Sequence, residues 1–234
     1  QSTWGSLGIY VFNTEFLLRH LDGTAHDFGR DLIPVMVVRD RVFAYRLNGY
    51  WADIGTLHAY WATNLALLDE PQALALNDAG WPVRTRAAQR PAARLWAGST
   101  IDDALVCDGC VVRGTVIHSI LSPGVVVEAG AVVRDSVIMH DTVIGAGAVV
   151  ARCVVDEGVR VGRGAQVGAG EDGTPNELEP EILNTDLTVV GRRARIPVDA
   201  VIGRNCRIDP GTDERDYGMP VVASGATVER GQDR

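Results

Sequence analysis

The sequence predicts two architectures in series: an α/β segment over residues 1–70 and a parallel β-helix over about 97–228. Residues 71–96 join them as a linker, and a loop insertion is expected at about 171–195. Three observations predict this. AVVRDSVIMHDTVIGAG (131–147) and AVVARCVVDEGVRVGRG (148–164) are equal in length and match column by column. A period of this kind, built from aliphatic-x-Gly hexads, stacks short strands into coils. Before residue 70 strand-like and helix-like patterns alternate, as in α/β proteins. Between the two lies a stretch rich in Pro, Ala and Arg, with WPVRT at Trp81–Thr85 inside it.

In chain order, GIYVFN (8–13) is an apolar, β-rich run expected as a buried strand. Thr14 is expected to cap a helix over EFLLRHL, with Phe16, Leu17 and Leu21 on one face. DFGRDLIPVMV is expected as a second helical or mixed segment, closed by Pro34. RVFAYRLNGYWADI is expected as a strand pair turning at Asn48-Gly49. TLHAYWATNLALL puts Leu57, Tyr60, Trp61, Leu65 and Leu68 at helical spacing, which makes a long amphipathic helix.

Within the repeat, SILSPGVVVEAG (119–130) matches SVIMHDTVIGAG (136–147), so Ser119, Ser136 and Cys153 are expected to stack, as are Val133 and Val150. The preceding CVVRGTVIH carries four extra residues, and Cys110 aligns with Ala131, Ala148 and Ala165. EDGTPNELEPEILNTDL (171–187) is acidic and turn-rich and is expected as an excursion. VIGRNCRI resumes the pattern, and VVASGATVERG adds a further coil strand.

A formal net charge of −8 argues against non-specific binding to nucleic acid or anionic membranes, so neither is an expected partner. All 22 basic residues are arginine, which rules out chemistry needing a lysine amine from these residues alone. Four cysteines in a chain this long do not suggest a disulfide framework. With no signal-peptide pattern and no apolar run long enough to span a bilayer, a soluble, cytoplasmic protein is expected. The opening QSTWGSLG reads as the interior of a longer chain.

Two cassettes stand out: HDFGRDLIP (His26–Pro34) and YWADIGT (Tyr50–Thr56). Singly, each reads as a turn with an N-cap Asp or a core Trp. In order the chain holds SLGIYVF (Ser6–Phe12), HDFGRDLIP, YWADIGT, AYWATNLAL (Ala59–Leu67), WPVRT and then hexapeptide coils. This succession resembles the C-terminal portion of the bacterial glucose-1-phosphate adenylyltransferase (ADP-glucose pyrophosphorylase) family over nearly the whole chain. The resemblance implies the end of a Rossmann-like nucleotidyltransferase catalytic domain, followed by a left-handed β-helix. It implies formation of ADP-glucose and pyrophosphate from ATP and glucose 1-phosphate, for glycogen synthesis, by an allosteric homotetramer. It places Ser6, Tyr10, Asp27, Phe28 and Trp51 at the glucose 1-phosphate site, and makes Asp53 catalytic as a Mg²⁺ ligand. The family's Gly-rich G-G-x-G-T-R-L loop, its second metal-binding Asp and its sugar-phosphate lysine are absent, so the chain by itself is expected to be inactive.

Arg192, Arg193 and Arg195 form a basic cluster: either a solvated edge or, by the resemblance, a site for a sugar-phosphate or nucleotide effector. Cys107-Asp-Gly-Cys110 lacks a second C-x-x-C and a βαβ setting, which argues against zinc or redox chemistry. Two alternatives remain at this point. One is a non-catalytic regulatory or scaffolding β-helix subunit. The weaker one is a hexapeptide acyltransferase using His118 or His140, which fall in different columns of the repeat.

Overall fold

The computed structural model describes residues 5–21, 23, 25–69, 78–85 and 89–231. It divides into two compact units, Gln1–Asp53 and Ile54–Arg234. Residue 70, and residues 71–77 and 86–88 of the expected linker, lie outside the described residues. In space the division falls at Asp53, because the helix at Leu57–Asp69 packs on the coils. No helix among the described residues is long and apolar enough to cross a membrane.

The first unit holds two short helices, α1 (Thr14–His20) and α2 (Ile33–Arg39). Asn13, not Thr14, is the N-cap: its side-chain oxygen accepts from the N–H groups of Glu15 and Phe16. Thr14 becomes the first helical residue. Pro34 opens α2 instead of closing a helix, since the first turn of a helix needs no N–H from it. The runs expected as strands, 8–13 and 41–54, form no ladder. A strand exists only through its partner, and among the described residues of this unit none lies beside either run. Ile9, Val11, Phe43 and Tyr45 consequently stand 72%, 97%, 78% and 91% exposed.

The second unit is a stack of parallel coils with three sides. One side is a six-stranded sheet running from Arg94–Leu95 to Arg195–Ile196. The other two sides share a sheet, because the long strands Thr100–Val106 and Thr115–Leu121 continue around one corner. At that corner Asp103, His118, Asp135 and Arg152 stack on successive coils, all with positive φ (44°, 42°, 47° and 51°). Aliphatic side chains point inward throughout: Val112, Val127 and Ile144 fill one side, and Val116, Val133 and Val150 the next.

Register shows how the repeat is built. Val126 pairs with Val143 and Val132 with Val149, each partner one full period further on. Val111 pairs with Val126, which falls short of a full period. This shorter first coil shifts Cys110 out of its expected column: it stacks on Val125, not Ala131. Cys153 pairs with Thr188, where an uninterrupted repeat would bring it to Gly170. The excursion therefore inserts about one more coil's length of chain and ends before Thr188. It ends where the 171–187 reading places it and earlier than 195, because Thr188–Val190 and Arg195–Ile196 are again ladder strands. Asn176 anchors the excursion from a buried position, donating to the carbonyl of Asn205 at 3.0 Å and accepting from Leu178 and Glu179 N–H. The tail contributes two strands, Val221–Val222 and Thr227–Val228.

The expected Ser119–Ser136–Cys153 column forms, and it carries hydrogen bonds. Ser136 Oγ donates to the Arg134 carbonyl (2.7 Å) and accepts from Cys153 N–H (3.1 Å). Ser119 does the same one coil earlier, with Ile117 and Ser136. The hydroxyl therefore bridges the ladder where the positive-φ corner interrupts it. Ser136→Ala would leave the buried Cys153 N–H unpaired and take from the Arg134 carbonyl one of its two donors, the other being Arg152 N–H, and should destabilise the protein by about 1–3 kcal/mol in urea unfolding. Ser136→Cys should cost less, since Cys153 already makes the equivalent bond to Ala151.

Helix α3 (Leu57–Asp69) lies against this stack. Thr56 caps it by accepting from Ala59 N–H. Leu65 is buried against Ile120 and Val137, with Tyr60, Trp61, Leu67 and Leu68 packed around them. Trp61 Nε1 donates to the Asp135 carbonyl at 2.7 Å, and the Arg152 guanidinium sits 4.9 Å from a Trp61 ring.

Candidate functional site

The HDFGRD cassette is a self-closed turn. Asp27 caps it, accepting from Arg30 N–H through Oδ1 at 2.7 Å. Asp31 closes it from the other side, taking the N–H groups of His26 (2.8 Å) and Asp27 (3.0 Å) on Oδ2. Those backbone donors hold the Asp31 carboxyl below the usual carboxylate range. Phe28–Leu32 then winds as a short π turn into α2. A His20–Asp40 contact at 3.1 Å ties α1 to the end of α2.

This turn forms one wall of an open cleft of about 540 Å³ lined by Gly8, Tyr10, Phe12, Asp27, Phe28 and Gly29. The rings of Tyr10, Phe12 and Phe28 cluster with centroids 5.6–6.2 Å apart. Ser6 Oγ lies 3.0 Å from the Tyr10 hydroxyl and accepts from Gly8 N–H. A Cβ on Gly29 would come within 3.3 Å of Asp27 Oδ1. Aromatic faces beside a carboxylate and two hydroxyls suit a ligand that is apolar on one face and rich in hydroxyls at its edge, such as a pyranose.

Of the residues expected at this site, Ser6, Tyr10, Asp27 and Phe28 come together here. Trp51 and Asp53 do not line the cleft. They lie in the irregular run ahead of α3, with Trp51 44% exposed. Phe12, Gly29 and Asp31 were not singled out from the sequence. Phe12 could have been, since it stands two residues from Tyr10 in an extended run and shares its face.

The basic cluster divides. Arg192 and Arg193 line a second cleft of about 340 Å³ in the β-helix unit, with His140, Asp141, Glu157 and Gly158. Arg192 pairs with Glu157 at 2.8 Å, and Asp141 is held bidentately by Arg90. Among the described residues Arg193 makes no ion pair. Arg195 lies outside this cleft, in register with Arg160 on the sheet face.

A model of the nucleotidyl transferase family matches residues 1–70, and one of the GlmU-like C-terminal hexapeptide family matches residues 91–179. The glucose-1-phosphate adenylyltransferase of Acetivibrio thermocellus is 36% identical, over 99% of this chain and 56% of its own length. That of Thermomicrobium roseum is 48% identical over 97% of this chain and 55% of its own. That of Thermotoga maritima is 46% identical over 97% and 56%. Along nearly its whole length the chain is similar to these glucose-1-phosphate adenylyltransferases. It spans about half the length of the curated relatives it matches.

Cys110, Cys153 and Cys206 are core residues, and Cys107 is half-buried. Cys110 and Cys153 are buried, and burial pushes both thiols up. Cys206 is pushed to about 11 by the same cause. Cys110 Sγ donates to the Ser122 carbonyl at 3.2 Å, and Cys107 and Cys110 are both free.

Proposed function

We propose that this chain supplies the sugar-phosphate side and the β-helix of a glucose-1-phosphate adenylyltransferase. In this reading the complete enzyme is a cytoplasmic, allosteric homotetramer that binds ATP and makes ADP-glucose and pyrophosphate for glycogen synthesis. The observation that carries the reading is the cleft lined by Tyr10, Asp27 and Phe28, with Ser6 hydrogen-bonded to Tyr10, within a chain similar to these enzymes along nearly its whole length.

The reaction is in-line attack of a glucose 1-phosphate oxygen on the α-phosphorus of ATP, with pyrophosphate leaving. Catalysis of this kind rests on positioning and on charge neutralisation. Asp27 spends Oδ1 on the turn and keeps Oδ2 for a sugar hydroxyl. Phe28 and Tyr10 offer ring faces to the pyranose, and the Ser6–Tyr10 hydroxyl pair offers donors at its edge. Asp53 fits a Mg²⁺ site by donor type: a hard carboxylate in an irregular segment suits an ion that takes one or two carboxylates, substrate phosphates and water. Bound there, the ion would neutralise charge on the reacting phosphates. These 234 residues offer no lysine and no G-G-x-G-T-R-L loop for the nucleotide phosphates.

Arg192 and Arg193 are proposed to take a phosphorylated effector, with Arg193 the cleft cation that makes no ion pair among the described residues and His140 beside it. Arg195 belongs to that proposal only as a nearby positive charge.

Calorimetry with glucose 1-phosphate tests the reading on the chain itself. Binding is expected, at least about tenfold weaker in Asp27→Ala, with no ADP-glucose formed when ATP and Mg²⁺ are added. No binding by the folded wild type would replace the reading with a non-catalytic β-helix subunit.

A further inference from the structure

One histidine outside both clefts is placed in an arrangement that its neutral form cannot satisfy. His118 occupies the positive-φ corner of the coil stack, between two carboxylates. Its Nδ1 lies 2.9 Å from Asp135 Oδ1 on the next coil. Its Nε2 lies 3.2 Å from Asp69 Oδ1, on the last residue of α3. A neutral imidazole has one N–H donor and one bare nitrogen, whereas an ionised carboxylate only accepts. Both contacts can therefore be hydrogen bonds at once only when the ring is an imidazolium.

We propose that His118 is a proton-operated clasp fastening α3 to the β-helix, closed when the ring is protonated and open at its α3 end when the ring is neutral. The order of release follows from the geometry. The Asp135 contact is shorter, and Asp69 is the more exposed partner, with 61% of its side chain accessible against 42% for Asp135. On losing a proton the ring keeps Nδ1–H on Asp135 and turns a lone pair toward the Asp69 carboxylate. An attraction at the end of α3 becomes a repulsion.

The surrounding charges favour the closed form. Asp103, stacked on His118 from the preceding coil, brings a carboxylate oxygen within 4.8 Å of the facing atoms of both His118 and Asp69. From the far side Arg152 is the charged neighbour, held over Trp61. Three carboxylates thus face one histidine, with one arginine further off. The His118 pKa accordingly lies above its ordinary value of 6.5, first through the Asp135 hydrogen bond and then through the Asp69 and Asp135 charges against a burial penalty. A histidine raised on folding contributes stability that is complete below its unfolded pKa and lost as pH rises through the folded one. The clasp therefore opens upward from about 6.5, the unperturbed value. Leu65, buried against Ile120 and Val137, keeps an apolar seam beneath it.

Hydrogen exchange of residues 57–69 between about pH 5.5 and 9 tests this. After correction for intrinsic chemistry, protection of the last turn of α3 should fall about tenfold across the transition, the worth of a charge-assisted hydrogen bond. His118→Asn, which tolerates positive φ, should be flat at the high-pH level, and Asp69→Asn should flatten the profile while leaving the coils folded. A flat wild-type profile, or one kept by His118→Asn, overturns the proposal. Should His118→Asn not fold, titration of the His118 ring by NMR in the wild type decides: a midpoint above 6.5 that moves with α3 exchange supports the clasp. A midpoint at or below 6.5 refutes it.

Discussion

Fused to the nucleotide-binding half of a full-length relative, Asp53→Asn should form ADP-glucose roughly a thousandfold more slowly than the wild-type fusion, about 4 kcal/mol in transition-state stabilisation. The size follows from what the proposed assignment asks of this carboxylate. Asparagine preserves shape and hydrogen bonding but loses the charge, and a hard divalent cation prefers charged oxygen. The defect should appear in turnover, with the glucose 1-phosphate KM little changed, because Asp53 does not line the cleft proposed for the sugar. Raising Mg²⁺ should recover part of the rate. Asp27→Ala in the same fusion should do the reverse and raise KM more than it lowers turnover. A fully active Asp53→Asn fusion would refute the metal assignment, and a loss expressed only in KM would move Asp53 to the sugar.

Gly168→Ala should be among the most damaging single-methyl additions to the β-helix. Its φ of +74° costs a non-glycine residue about 1–2 kcal/mol on its own. An added Cβ would also strike the Ala151 carbonyl oxygen and lie 3.2 Å from Cys153 Sγ. That carbonyl already accepts from the Cys153 thiol, so the methyl group invades the hydrogen-bonded column as well as the steric space. A total of about 4 kcal/mol is expected, a fall in Tm on the order of 10 °C for a chain of this size. Gly147→Ala is the control: its φ is also positive, at +70°, but nothing lies within 4 Å of the added carbon. It should cost only the backbone term. Thermal unfolding by circular dichroism compares the two, and equal losses would refute the steric account.

The coils were legible because a β-helix writes its contacts into its period. Residues one period apart in sequence are neighbours in space, so matching two lines of sequence already pairs Val133 with Val150 and Ile120 with Val137. The period breaks at Cys110, where the first coil is short and the columns slip. In the first unit, strand patterns at GIYVFN and RVFAYRLNGYW told correctly which residues are apolar, but pairing depends on a partner that pattern alone does not supply. Within the aromatic cleft, side-chain chemistry pointed to Asp27 and Phe28 only through the family resemblance. The reciprocal role of Asp31 rests on backbone N–H groups, which a sequence does not display. His118 and Asp135 were one period apart all along. What their spacing could not reveal was Asp69, brought in by a helix far back along the chain.

The bridging column of Ser119, Ser136 and Cys153 bears on how such a chain can change over evolutionary time. Ser119 and Ser136 present the same acceptor above, and Ser136 and Cys153 the same donor below, so these levels are interchangeable parts. One whole level could be dropped or doubled and the cut faces would still match, whereas losing a few residues within a level would strand buried polar groups. The height of the tower can thus vary in discrete storeys of roughly 4.8 Å, and the excursion after Gly168 inserts a side room without altering the storey count.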